Sequence, residues 1–116
     1  MRIAVPLRIA TRAFFWLACA VGLGLALTPN LGPELPPGPY DKIEHFIGFY
    51  ALAVSGLLAY PDHPRRWLFA GLLTFGGAIE ILQMIPALHR DAEWGDLAAD
   101  AIGVGMALLP TFIRRA

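Results

Sequence analysis

The sequence is poor in charge, in cysteine and in histidine. Of its 116 residues, 16% are charged, one is cysteine and three are histidine. The single cysteine, Cys19, excludes an intrachain disulfide, and three scattered histidines are too few for a histidine-based metal site. No segment interleaves basic and aromatic residues as a nucleic-acid-binding surface does. A disulfide scaffold, a histidine-rich metal site and a nucleic-acid-binding module are therefore not expected.

Apolar residues dominate the chain instead. They make up 57% of it, and the mean hydropathy is +0.58, which is typical of membrane proteins. At this length the chain forms one domain, residues 1–116. Four apolar segments between polar turns predict an all-α fold, an integral membrane four-helix bundle. The predicted helices cover about residues 13–28, 42–60, 67–85 and 96–113.

The first predicted helix has a rival interpretation as a cleaved signal peptide. Arginines precede an apolar core that is followed by small residues, as in secretory signals. Leu17-Ala18-Cys19 also resembles a lipoprotein cleavage site, although little apolar sequence precedes it. The three apolar segments that follow favour a retained membrane helix.

A proline-rich connector separates the first two helices. Residues 29–40 hold five prolines and two glycines, a composition that opposes helix and suits an extended loop at the membrane surface. Asp41 is then expected to cap the second helix. Pro86 is expected to end the third.

The distribution of basic residues predicts the orientation. Lys and Arg are enriched in cytoplasmic segments, and four spans with a cytoplasmic N-terminus place only Lys42 and Arg90 outside. Both termini are therefore predicted on the cytoplasmic side, with the proline-rich loop outside. The inside segments then hold Arg2, Arg8, Arg12, Arg65, Arg66, Arg114 and Arg115.

This orientation gathers polar residues on the outer side. The second and fourth helices begin there and the third ends there, so polar residues near these ends should line one pocket within roughly 10 Å of the helix termini. Gly76, Gly77, Gly103 and Ala107, deeper on the same faces, would let the helices approach closely. The predicted ligand-binding residues are Lys42, His45, Glu80, Gln83, Arg90, Asp96 and Asp100.

Four motifs in this region match a known family in order and spacing. They are Asp-Lys-x-x-His-Phe-x-x-Phe from Asp41, Glu-x-x-Gln at Glu80 and Gln83, Arg90 followed by Asp96, and Asp96-Leu-Ala-Ala-Asp100-Ala-Ile-Gly103. With them, residues of about 40–110 resemble the VanZ-like family. At Asp100 the family pattern often has Asn. The resemblance implies a small bacterial multi-helix membrane protein, and the family's namesake is associated with low-level resistance to the glycopeptide teicoplanin.

The first functional hypothesis is binding of an anionic lipid or a lipid-linked cell-envelope precursor. Lys42 and Arg90 supply cationic donors, and the N-termini of two helices point at the pocket. Acids nevertheless outnumber bases on this side. Either some acids are remote from the ligand, or some are protonated, or a divalent cation bridges them to phosphate. No other cofactor is predicted.

Two alternatives remain open. In one, the pocket is a hydrolase or transferase site for a lipid-linked phosphate, with His45, Glu80 and Asp100 as the candidate catalytic residues. The chain has no recognisable nucleophile motif, so binding without catalysis is favoured. In the other, the polar residues only hold the helices of a scaffold together. A transporter is disfavoured, because the predicted cytoplasmic halves of the helices hold no acid.

Overall fold

The described part of the chain forms four α-helices. The computed structural model describes residues 5–28, 39–88 and 94–113. Within these ranges no strand occurs, so the prediction of an all-α fold with four helices is confirmed. The proline-rich loop, residues 29–38, lies outside the described residues. The elements are α1 (Val5–Leu27), α2 (Pro39–Ala59), α3 (Arg65–Gln83), a 3-10 turn (Pro86–Leu88) and α4 (Trp94–Ile113).

Helix α1 begins earlier than the sequence predicted. It starts at Val5 and not at Ala13, so Arg8 and Arg12 lie on the helix. Pro6 does not prevent this, because the first amide groups of a helix have no acceptor within it and proline lacks the N–H that would need one. The alanine, leucine and arginine residues that follow are good helix formers.

Helix α2 also begins earlier, and this corrects the role predicted for Asp41. The helix starts at Pro39, so Asp41 is its third residue and is not its N-cap. Proline is favoured at the first helical position because its ring already holds a helical φ angle. Pro39, the last proline of the connector, is therefore the first residue of the helix.

Proline stands near both ends of α3. Pro64, with φ −59° and ψ 134°, precedes the helix and gives its first turn no side-chain hydrogen bond. At the other end Met84 donates its amide N–H to the carbonyl of Ile81, and Pro86 opens the 3-10 turn. The third helix ends at Gln83, two residues before the predicted end at Ile85, and Pro86 follows as the first residue of the 3-10 turn.

Helix α2 packs most extensively against α4. The closest approach is at Gly103 of α4, where an added Cβ would lie 2.5 Å from the carbonyl oxygen of Phe46 and 3.2 Å from the amide nitrogen of Tyr50. On its other side, α2 places Gly56 so that an added Cβ would lie 2.7 Å from a methyl carbon of Leu68. The close approach that the sequence predicted at Gly103 is confirmed, and small residues permit it.

The bundle combines buried polar side chains and exposed apolar side chains with a buried apolar core. Four polar side chains are at most 6% exposed, whereas large apolar side chains are exposed on every helix. These four residues are Glu80, Gln83, Asp96 and Asp100. The exposed apolar residues include Phe14, Leu17, Val21, Ile43, Ile47, Trp67, Ile81, Ile102 and Met106.

Two helices are long and apolar enough to cross a membrane. They are Pro6–Leu27, with 22 residues, and Lys42–Ala59, with 18. Only 11% of the first span and 28% of the second are buried inside the bundle, so neither resembles the enclosed core helix of a soluble protein. Helices α3 and α4, with 19 and 20 residues, have sufficient length, but they carry the buried acids.

Candidate functional site

The ends of three helices meet at one end of the bundle. The first turns of α2 bring Lys42 and His45, and the first turns of α4 bring Asp96 and Asp100. The last turns of α3 bring Glu80 to the same place. Because the three helices alternate in direction, these three helix ends lie together, as the sequence predicted.

His45 and Asp100 are joined by a short hydrogen bond. Nδ1 of His45 lies 2.8 Å from Oδ1 of Asp100, and since a carboxylate oxygen accepts, the ring N–H donates. Asp100 is fully buried against the backbone of α3, where a Cβ added to Gly76 would lie 2.6 Å from its Oδ2. The bond fixes the imidazole so that Nε2 points away from Asp100.

The other imidazole nitrogen faces Asp96. Nε2 of His45 lies 3.7 Å from Oδ2 of Asp96, and Nζ of Lys42 lies 3.7 Å from Oδ1 of the same carboxylate. Asp96 is 3% exposed, whereas the Lys42 side chain is 45% exposed. Gly95 makes room for the lysine, since an added Cβ there would lie 3.1 Å from Lys42 Cε. Lys42 therefore lies beside Asp96 at the exposed edge, or mouth, of this polar cluster.

Glu80 completes the group from the third helix. Its side chain is fully buried. One of its carboxylate oxygens, one oxygen of Asp96 and one ring nitrogen of His45 all lie within 4.8 Å of one another. Three residues that are far apart in sequence thus present ligand atoms to a common point.

An apolar floor lies beneath this group. The ring of Phe49 stacks on the imidazole of His45, with centroids 6.4 Å apart and the planes at 6°. Phe75 of α3 packs against Phe49 in turn, with centroids 6.1 Å apart. These rings separate the polar group from the apolar core, and Lys42 is the most exposed side chain of the group.

Two predicted site residues are not part of this group as described. Gln83 is buried, and its Nε2 donates to the carbonyl oxygen of Ala26 at 3.0 Å, so it connects α3 to the end of α1. Arg90 lies outside the described residues. The described pocket thus consists of Lys42, His45, Glu80, Asp96 and Asp100.

A second polar contact group, at the opposite end of the bundle, was missed in the sequence. Nε of Arg12 donates to the carbonyl oxygen of Ala59 at 2.9 Å, and its guanidinium carbon lies 4.5 Å from the centre of the Tyr60 ring. Nε1 of Trp16 donates to the Tyr60 hydroxyl at 2.7 Å. Tryptophan and tyrosine beside arginines at helix ends are the signal that could have found it.

The pocket offers two kinds of chemistry. Its carboxylates and imidazole can hold a cation, and the exposed Lys42 can contact an anion at the mouth. An imidazole oriented by a buried carboxylate is also the arrangement of a general base. Cation binding and general-base chemistry both require an oriented imidazole, and the hydrogen bond between His45 and Asp100 supplies that orientation.

Comparison of the chain with models of protein families, with curated proteins and with solved structures finds no match. The pocket and the arrangement of the helices therefore carry the functional argument.

Proposed function

We propose that the chain is a VanZ-like, multi-pass protein of the bacterial cytoplasmic membrane that binds a phosphorylated envelope lipid on its outer side. The ligand is an anionic lipid or a lipid-linked cell-envelope precursor. The observation that carries the proposal is the gathering of Lys42, His45 and three buried acids at one end of an apolar bundle. Through its resemblance to the VanZ-like family, the proposal extends to a contribution to low-level teicoplanin resistance.

Membrane insertion is supported by the combination of buried acids with exposed apolar side chains. A charged side chain facing lipid costs on the order of 2.5–3.5 kcal/mol at mid-bilayer, so membrane proteins turn such residues inward. Here Glu80 and Asp100 are fully buried, while Phe14 and Ile102 are 64% and 58% exposed. In water, an exposed apolar surface on every helix would favour aggregation. We therefore assign all four helices to the bilayer.

The orientation is supported by the basic end of the bundle. Arg12 of α1 contacts Ala59 at the end of α2, and Arg65 and Arg66 begin α3 shortly afterwards. These arginines therefore share the end opposite Lys42. Because basic residues favour the cytoplasmic side, we place the arginine end inside and the pocket outside.

The ligand class follows from the entrance of the pocket. Lys42 is the exposed cation at the mouth, and the first turns of α2 and α4 direct the positive ends of their helix dipoles to the same side. A phosphate at the mouth would contact Lys42 while its lipid chain lay along the exposed apolar faces. The buried acids lie deeper and so need not meet the phosphate directly.

The test is binding of a polyprenyl phosphate by the purified chain, followed by native mass spectrometry. We expect binding of the phosphate and not of the matched neutral polyprenol. Lys42→Ala should weaken it about 10- to 150-fold, because a charge-assisted contact contributes about 1.5–3 kcal/mol. Arg66→Ala, which removes an exposed basic residue at the other end, is the matched control. Equal binding by the Lys42→Ala variant and the unmodified chain would refute the assigned site.

The His45–Asp100 pair favours hydrolysis or transfer as a second candidate function. Asp100 would hold the imidazole in the tautomer that accepts a proton at Nε2, so that His45 could activate water against a lipid-linked phosphate. Release of inorganic phosphate from a polyprenyl diphosphate is the measurement. Turnover that persists in His45→Ala would rule out this candidate. A purely structural role predicts instead that pocket variants lose stability and show no phenotype independent of protein abundance.

A further inference from the structure

We propose that His45, Glu80 and Asp96 bind one divalent transition-metal ion, of the zinc or manganese type, in the pocket. One ligand atom from each lies within 4.8 Å of the others. The three side chains come from three different helices, so a bound ion would join them. The proposed link between this ion and phosphate rests on the proposed function, whereas metal binding itself rests on the geometry.

The distances are close to those of a metal site. Nε2 of His45 and Oδ2 of Asp96 are 3.7 Å apart. Two ligand atoms that each lie about 2.1 Å from a tetrahedral ion are about 3.4 Å apart. This pair therefore needs to close by only a few tenths of an ångström, and the most distant pair by on the order of 1 Å. Rotation of the long Glu80 side chain can supply that movement.

Asp100 has the position of a partner to a metal-bound histidine. Such histidines usually donate their second ring N–H to a carboxylate, which fixes the ring and raises its basicity. Asp100 accepts from Nδ1 of His45 at 2.8 Å, and Nε2 is left facing Asp96. The second oxygen of Asp100, Oδ2, is buried and has no hydrogen-bond partner among the described residues. Because it bonds to Nδ1 and is not one of the three residues whose ligand atoms converge, we assign Asp100 a positioning role.

The donor set indicates the class of ion. Imidazole suits zinc, copper, iron and nickel, while carboxylates suit magnesium, calcium and manganese. One imidazole with two carboxylates is a mixed set that suits Zn²⁺ or Mn²⁺. Three protein ligands leave a coordination position open, and Lys42 marks the side on which the pocket opens. A phosphate oxygen could take that position, with the charge of the ion offsetting that of the acids.

Manganese binding by the purified full-length chain in detergent tests the proposal. After chelator treatment, free Mn²⁺ is followed by electron paramagnetic resonance, and we expect one bound ion per chain. His45→Ala and Asp96→Asn should each weaken binding at least tenfold. The matched controls are His63→Ala and Asp62→Asn, two exposed residues in the turn between α2 and α3. No binding by the unmodified chain, or equal binding by His45→Ala and His63→Ala, overturns the proposal.

A measurement on the unmodified chain avoids dependence on the folding of variants. Bound Mn²⁺ should show electron spin-echo modulation from a directly coordinated imidazole nitrogen. Asp100→Asn should weaken Mn²⁺ binding about 10- to 100-fold while keeping this modulation, because it acts through His45. Bound Mn²⁺ without nitrogen modulation overturns His45 as a ligand, and unchanged affinity in Asp100→Asn overturns its positioning role.

The metal and lipid outcomes can be distinguished. Polyprenyl phosphate binding is measured with chelator-treated chain and again with added Mn²⁺. Mn²⁺ binding without lipid binding supports the metal site and refutes the proposed function. Lipid binding without Mn²⁺ binding leaves the proposed function standing and overturns the metal site. Tenfold tighter lipid binding in Mn²⁺ supports the link between the two.

Discussion

Replacing Gly103 by alanine tests how closely α2 and α4 must approach. The added Cβ would lie 2.5 Å from the carbonyl oxygen of Phe46, about 0.9 Å inside the ordinary contact distance of 3.4 Å. It would also lie 3.2 Å from the amide nitrogen of Tyr50. Both atoms belong to the backbone, so rotation of a side chain cannot relieve the contact. The two helices would have to separate.

The size of the effect follows from overpacking. Forcing an extra carbon into a close-packed contact typically costs about 1–3 kcal/mol. Alanine also favours helix over glycine by up to about 1 kcal/mol, which partly offsets this cost. Gly105→Ala is the matched control, since it lies on the same helix and nothing lies within 4 Å of its added Cβ. The propensity gain is common to both variants, so Gly103→Ala should be less stable than Gly105→Ala by about 1–3 kcal/mol.

The assay is unfolding of the purified variants in mixed micelles by a denaturing detergent. Helical circular dichroism and tryptophan fluorescence should report the same order of stability. Gly103→Ala should also weaken ligand binding at the pocket, because α2 carries His45 and α4 carries its partner Asp100. Equal stability of the two variants would show that this contact does not limit the approach of the helices.

Two further predictions concern the rest of the bundle. Cys19→Ala removes the single cysteine and gives a background for labelling. In it, Glu44→Cys should react with a membrane-impermeant thiol reagent in intact cells, whereas Arg66→Cys should react only after permeabilisation. The reverse pattern would contradict the proposed orientation. Arg12→Ala should lower the free energy of unfolding by about 1–2 kcal/mol, because it removes the hydrogen bond to Ala59 and the contact with the Tyr60 ring. Arg66→Ala is the control for the second prediction, and equal losses in the two variants would argue against a specific role of the Arg12 contacts.

The sequence predicted the number of helices and the meeting of His45 with Asp96 and Asp100 because both follow from simple rules. Apolar segments between polar turns define the helices, and alternating helix direction brings the relevant ends together. Helix starts were less predictable. Proline in the connector was expected to oppose helix, but Pro39 is the first residue of α2, where proline is compatible with a helix.

The contacts between helices were predictable only in part. Spacing marked both Gly76 and Gly77 as positions of close approach, yet an added Cβ at Gly76 meets Asp100 and one at Gly77 meets nothing within 4 Å. Adjacent helical positions differ in direction by about 100°, and which of them faces a neighbour depends on the rotation of the whole helix. The rotation of α3 also decides where Gln83 points. It was predicted to line the pocket, but its side chain donates a hydrogen bond to the carbonyl oxygen of Ala26 on α1.

The contact at Gly103 and the polar residues of the pocket lie next to each other on α2 and α4. Phe46, whose carbonyl Gly103 approaches, follows His45 directly on α2, and Gly103 lies one turn beyond Asp100 on α4. In the bilayer that we propose for this bundle, the hydrophobic effect would give helices little reason to associate, so close packing and polar contacts would hold them. The backbone contact therefore fixes the separation at which His45 and Asp100 form their 2.8 Å hydrogen bond. Because that bond in turn directs Nε2 toward Asp96, the chemistry of the pocket depends on a glycine that touches no ligand.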